Sequence, residues 1–260
     1  MRLDKYVSLA RIGTRKKVKE YIYRGEVQVN GETVLVPALE VDEKSDEISY
    51  CGKVISGIDR ICYMFYKPQG CVTAKNDGNH KTVFSYFPEL DTAGLFAVGR
   101  LDRDTEGLLL ITNDGDLNHR LMKPEHHVEK TYFFWVFGAI DEAGVQAVRQ
   151  GMDIGQGERA KPGEIEIVAA GTYTELRGEM ERDGCQVVKQ NLHRQDVTAG
   201  YLTISEGKKH QVKRMMRSIG CYVVYLKRVS IGRLKLDEEL EKGGYRELTA
   251  LELAEYRDQN

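Results

Sequence analysis

The chain has 260 residues, 41% of them hydrophobic and 30% charged, with 26 Gly, 5 Pro and a formal charge of -2. That length allows one large domain or two unequal ones, and the composition excludes a disordered chain, a collagen and a low-complexity tail. No apolar run approaches the about 20 residues of a membrane span, the charged N-terminus lacks an apolar signal core, and five scattered cysteines without a C-x-x-C pair fit a reduced, cytoplasmic protein without structural zinc.

Residues 1–56 read as a small first unit, and residues 60–260 as a larger second one. Leu3, Tyr6, Val7 and Ala10 repeat at helical spacing, predicting a helix over 2–12 that Gly13 stops. Thr14 is placed to cap a second helix carrying Val18, Tyr21 and Ile22, ended by Gly25. Val27 and Val29 alternate into Asn30-Gly31, a hairpin turn signal, followed by Val34 and Val36. The stretch Cys51 to Arg60 is the expected junction.

From Ile61 the pattern is mainly β. CYMFYKP, FAVGRLD (Phe96–Asp102), GLLLIT (Gly107–Thr112) and KTYFFWVFG (Lys130–Gly138) read as strands, and Asn113-Asp114-Gly115 as a turn. DEAGVQAVRQG (Asp141–Gly151) reads as a capped helix. EIEIVAAG and AGYLTISEG alternate as strands. HQVKRMMRSIG (His210–Gly220) is an amphipathic helix, with Val212, Met215, Met216 and Ile219 inward and Lys213, Arg214 and Arg217 outward. Helices and strands do not alternate regularly, so the expectation is an α+β fold with a mixed, largely antiparallel sheet.

The near-neutral total hides segregated charge. Residues 1–31 hold eight Lys/Arg against three Asp/Glu, and residues 205–233 hold eight against Glu206 alone. Clustered cations of this kind suit a phosphate backbone. The loop GRLDRDTEG places Asp102, Asp104 and Glu106 beside Arg100 and Arg103. A carboxylate beside cations stays ionised and is then a nucleophile toward a sugar or base carbon. Spacing alone leaves open an ordinary turn aspartate, or a glycosidase-like carboxylate couple of Asp102 with Asp104 or Glu106. His126-His127 has no further ligand at zinc spacing, and Cys71 has no neighbouring base to activate it. Lys67, at a strand end, fits either a loop support or a surface position.

Two resemblances sharpen these readings. RLDKYVSLARIGTRKKVKEYIYRGEVQVNGETV resembles the small RNA-binding domain named after ribosomal protein S-four. It implies an RNA-backbone platform, with Arg2, Arg15, Lys16, Lys19 and Arg24 as phosphate contacts. GRLDRDTEGLLLITNDGDL resembles the catalytic motif of the pseudouridine synthases, in the branch that modifies bacterial ribosomal RNA. KPQG (Lys67–Gly70), EKTY (Glu129–Tyr132) and ISEGKKHQVKRM (Ile204–Met215) resemble three further motifs of that branch, in the same order. Through HHVEKTY (His126–Tyr132) and the HQVKRM run the chain resembles the type within that branch that acts on the small subunit.

What the resemblance implies is cofactor-free, metal-free isomerisation of a uridine in partly assembled small-subunit ribosomal RNA. Asp102 would be the essential carboxylate, attacking the ribose or the base or assisting loss of the base as a glycal. Tyr132 would lie against the target base, and Lys213 would pair with the carboxylate, with Arg214 the other candidate. Arg100, Arg103, Lys208, Lys209 and Arg214 would contact RNA. A monomer is expected. The competing function is a non-catalytic RNA-binding assembly factor, against which Asp102, Tyr132 and Lys213 all being present argues.

Overall fold

The computed structural model describes residues 1–55, 57, 60–92, 94–187 and 192–257. Ser56, Ile58 and Asp59 of the expected junction lie outside the described residues.

Helix α1 (Leu3–Leu9) buries Leu3, Tyr6 and Val7. It ends before the expected boundary at residue 12, because Arg11 already adopts a left-handed φ of 64°. Thr14 Oγ1 accepts from Lys17 N at 3.4 Å and starts α2 (Arg15–Tyr23), whose Val18 and Ile22 face α1 in a shared core. Strands β1 (Val27–Val29), β2 (Glu32–Thr33), β3 (Ile48–Tyr50) and β4 (Lys53–Val54) pair in the order β2-β1-β3-β4. Asn30 and Gly31, both at positive φ, make the turn between β1 and β2. Strand β2 ends at Thr33, with one further bond from Val34 N to the Val27 carbonyl at 3.1 Å, rather than running through Val36 as the alternation suggests. Pro37 biases the residue before it and has no amide proton for a ladder, and Val36 is exposed.

The larger unit has β5 (Cys62–Lys67), β6 (Phe96–Val98), β7 (Glu106–Thr112), α3 (Gly115–Met122), β8 (Lys130–Phe137), α4 (Glu142–Gln150), β9 (Glu164–Thr172), α5 (Tyr173–Arg182), β10 (Asp196–Ile204), α6 (Gln211–Ser218), β11 (Tyr222–Ile231), β12 (Leu234–Lys235), β13 (Tyr245–Glu247) and α7 (Ala250–Arg257). The described strands form one sheet in the order β13-β5-β7-β11-β8-β10-β9, with β6 on β7 and β12 on β11. All its pairs are antiparallel except β7 with β11. The fold is α+β, as the irregular element order predicts.

At the parallel pair the backbones of Gly107 and Arg228 nearly touch. A Cβ on Gly107 would lie 2.2 Å from the Arg228 carbonyl oxygen, and its φ is 106°. Only glycine fits there. Helices α4 and α6 cover β8, β10 and β11 around Phe134, Val136, Met215 and Met216. Helices α3 and α7 close a second core around Met64, Leu108, Leu110, Leu117 and Tyr256. Helix α3 starts where Asn113-Asp114-Gly115 reads as a turn. Asp114 caps it by accepting from the amides of Asp116 and Leu117, so the turn is a helix start. Among the described residues no helix is long and apolar enough to cross a membrane.

Side chains tie the two units together. Asn113 is fully buried, accepts from Ile61 N at 3.0 Å and donates to the Leu9 carbonyl at 3.1 Å. Lys5 donates to Asp116 at 2.7 Å.

Candidate active site

The loop between β6 and β7 is short and carries Asp102 where two buried strands meet. Leu101 anchors it in the core. Thr73 clamps Leu101 from outside, Oγ1 donating to its carbonyl at 2.8 Å and accepting from its amide at 3.2 Å. Lys67 holds the other limb. Its ammonium is fully buried and donates to the carbonyls of Thr105 (2.8 Å), Pro68 (3.0 Å) and Arg103 (3.4 Å). Of the two readings left open for Lys67, the structure selects the loop support. Burial pushes its pKa down, and the three carbonyls are what an ammonium needs when taken from water.

Asp102 remains partly exposed, and its two oxygens face a lysine and a histidine from the α6 region. Lys213 Nζ lies 3.3 Å from Oδ2, and His210 Nε2 lies 3.5 Å from Oδ1. Lys213 also binds Asp104. Burial pushes the Asp104 carboxyl up, but the hydrogen bond and charge of Lys213 outweigh it and leave the pKa below the ordinary carboxylate value. One lysine therefore faces two carboxylates, and for Asp104 its charge favours the ionised form. A hydrolytic couple needs one carboxyl kept protonated as an acid, so Asp104 does not serve as one here.

Glu106 does not join Asp102 either. It is buried and accepts from Tyr66 Oη at 3.2 Å, from Tyr225 Oη and from Lys242 Nζ at 2.9 Å. The glycosidase-like pairing is thereby excluded.

Tyr132 sits on β8 opposite Leu202 and Arg228. Its partly buried ring packs against the core beneath α6 and against the core that holds Leu101. It thus spans the elements that supply Asp102 and Lys213. A cavity of about 1250 Å³ lies over Phe133, Trp135 and Tyr201 and includes none of Asp102, Tyr132 or Lys213 in its lining.

Arg214 requires a correction. As an alternative partner for Asp102 and as an RNA contact it was expected to point outward. Its guanidinium instead binds the carbonyls of Ile154 (2.9 Å) and Gly155 (2.6 Å) and the Glu158 carboxylate. A loop remote in sequence folds over the helix and engages the charge. Lys208 is partly drawn in as well, onto the Arg159 carbonyl and Glu206. Lys209, Arg100 and Arg103 are exposed.

His210 was not anticipated. It has a left-handed φ of 53° at the start of α6, an uncommon conformation for a non-glycine residue. Gln211 is buried behind it, accepting from Lys208 N and donating to Glu206, both at 2.8 Å. This bracing presents the imidazole to Asp102. A histidine before a helix is too common for sequence to have singled it out.

In the N-terminal unit, Asp4 organises the basic cluster. Its carboxylate is buried and accepts from Arg2 (3.2 Å, two bonds) and Arg15 (3.1 Å), with Lys19 at 3.9 Å. The three cations remain about half exposed. Burial pushes the Asp4 carboxyl up, and the two guanidinium groups more than reverse it. Lys16 is exposed, and Arg24 lies 3.9 Å from Glu26.

The family model described as RNA pseudouridylate synthase matches residues 61–218, and that of the S4 domain matches residues 1–48. The chain belongs to the RNA pseudouridylate synthases. It is therefore an isomerase that turns uridine into pseudouridine in RNA. A Bacillus subtilis protein named uncharacterized RNA pseudouridine synthase YtzG is 38% identical over 254 residues, covering 97% of each chain. The Haemophilus influenzae ribosomal small subunit pseudouridine synthase A is 36% identical over 256 residues, covering 97% of this chain and 98% of its own. A solved pseudouridylate synthase superposes with a TM-score of 0.64 at 33% identity, over 98% of this chain and 99% of that one.

Proposed function

We propose that this pseudouridine synthase modifies one uridine of small-subunit ribosomal RNA in the cytoplasm, acting as a monomer on a partly assembled subunit. Residues 1–56 grip the RNA backbone and residues 60–260 carry out the isomerisation. The observation that carries the reading is the Asp102 carboxylate held by Lys213, with the Tyr132 ring packed against both the core beneath α6 and the core that holds Leu101. Full-length likeness to ribosomal small subunit synthases supports the choice of RNA.

The reaction breaks the N1–C1′ glycosidic bond, turns the uracil, joins C5 to C1′ of the same ribose, removes the proton from C5 and leaves one on N1. Nothing is consumed. Asp102 acts first, either on the ribose carbon, on the base, or in removing a ribose proton to give a glycal. Each route begins from the carboxylate that Lys213 faces at 3.3 Å. Lysine presents a point charge rather than arginine's planar fork, which lets it serve Asp102 and Asp104 together. Tyr132 stacks on the turned uracil, and its hydroxyl assists proton movement at C5. The target must leave its stack to reach Asp102, which costs a few kcal/mol in a duplex and less in a loop, so an unpaired uridine in unfinished RNA fits.

Phosphates are bound by Arg2, Arg15, Lys16, Lys19 and Arg24, with Arg100, Arg103, Lys208 and Lys209 nearer the target. Arg214 is not included, since its guanidinium is engaged within the protein. The test is Asp102→Asn, with pseudouridines mapped in small-subunit RNA from cells whose only copy is the variant. One pseudouridine should disappear while RNA binding is kept. An unchanged map, or turnover at the wild-type rate, would refute the role of Asp102.

A further inference from the structure

Between the two units lies a cavity of about 440 Å³, within the about 300–1,000 Å³ typical of ligand clefts. Its rim carries Lys5, Arg15, Lys75 and Arg100, and its described lining has no carboxylate. Its floor is apolar and includes Phe84 and Phe96. Lys75 Nζ stands 4.1 Å over the Phe84 ring, and Arg15 is already turned by Asp4. Gly99, Arg100 and Thr73 belong to this lining, and Thr73 is the clamp on Leu101, next to Asp102.

We propose that this cleft is a binding subsite for a second unstacked nucleotide of the RNA substrate, a near neighbour of the target uridine. The reading rests on RNA being the substrate. An apolar, partly aromatic floor receives the face of a base, whatever its identity, while the cations at the mouth take the flanking phosphates. Charge complementarity decides the occupant: Lys75 and Arg100, at a mouth whose described lining holds no carboxylate, together with Lys5 and Arg15, which are paired with Asp116 and Asp4, match a polyanion, and an apolar floor beneath them matches a base rather than a bare phosphate. The position follows from chain geometry. Arg100 precedes Asp102 by two residues, at most about 7 Å of backbone, so a nucleotide seated here is adjacent, or nearly so, to the one at Asp102. Holding two points of one strand fixes which uridine enters the site, and it requires both units, because the rim comes from each.

The test uses the full-length protein and a protein-free small-subunit rRNA transcript. Lys75→Ala removes an exposed cation, and Ala74→Phe fills the lining. Each should raise KM about fivefold or more, the effect of losing a stacked base or a phosphate contact, with kcat unchanged. Lys75→Ala should also lower the salt slope of binding by about 0.7, the single-strand value per cation. Dissociation constants measured with each change in an Asp102→Asn background isolate binding from turnover. They keep the subsite testable even if the assignment of Asp102 fails. Unchanged KM and dissociation constant in both variants would overturn the proposal. So would a fall in kcat at constant KM, which would make the cleft a support of the catalytic loop. An effect confined to assembled subunits would identify a protein occupant and overturn it as well.

Discussion

Replacing Lys67 by methionine tests whether a buried ammonium holds the loop that carries Asp102. Methionine fills the aliphatic path but leaves the carbonyls of Thr105, Pro68 and Arg103 without their donor. Two of the three bonds are short, at 2.8 and 3.0 Å, and the third, at 3.4 Å, is weak. Hydrogen bonds to charged groups contribute about 1.5–3 kcal/mol each, so the two good ones amount to about 3–6 kcal/mol. Relief of the burial that pushes the Lys67 pKa down offsets part of this, leaving an expected loss of about 2–4 kcal/mol. With a urea m-value of about 2 kcal/mol/M, the midpoint should fall by about 1–2 M. Trp135, the single tryptophan and fully buried in the sheet, reports the transition by fluorescence. A loop shift of about 1 Å at Asp102 should lower kcat by about 100-fold. If Lys67→Met unfolds at the wild-type urea concentration and turns over at the wild-type rate, the three-carbonyl anchor does not position Asp102.

Asp4→Asn sets organisation against charge count. Removing a negative charge should tighten RNA binding if only net charge matters. If Asp4 orders Arg2, Arg15 and Lys19, affinity for a small-subunit rRNA transcript should fall and the salt slope should drop by about 1–2, at about 0.7 per displaced cation. Tighter binding with an unchanged slope would refute the ordering. Lys130 is buried, its ammonium on the carbonyls of Val128 and Leu121, and burial with Arg228 nearby pushes its pKa down to about 8. Between pH 8 and its ordinary value of 10.5 the unfolded chain holds this proton while the folded protein has released it. Stability from this group therefore rises with pH across that window. Urea midpoints of wild type and Lys130→Met should shift in favour of wild type from pH 8 to 10.5, and a constant difference would show that Lys130 does not titrate there.

What was legible in the sequence was what lies close together along it. The GRLD loop, the Thr14 cap, the Asn30-Gly31 turn and the inward face of α6 each depend on neighbours within a few residues. Lys213 beside Asp102 was reached only through motif resemblance, because 111 positions separate them. Arg214 failed for a related reason. Helical periodicity puts it outward, but cannot reveal that residues 154–158 return to cover that side. Helix α3 was hidden because an aspartate that caps a helix and one that makes a turn look alike until the partners of Asp116 N and Leu117 N are known. The Asp4 hub was invisible to charge counting, which registers three cations and an anion without showing that one collects the others.

The buried amide of Asn113 makes the junction selective about chemistry as well as shape. Its oxygen takes a proton from one segment while its nitrogen gives one to the other. Aspartate, nearly identical in outline, has no proton to offer the Leu9 carbonyl when ionised and would set a negative charge against it. Leucine would answer neither group. A side chain with a donating and an accepting end, and almost no other, lets the RNA-gripping module seat against the catalytic one, so a single deamidation at this position would loosen the whole enzyme's architecture without touching a residue of its chemistry.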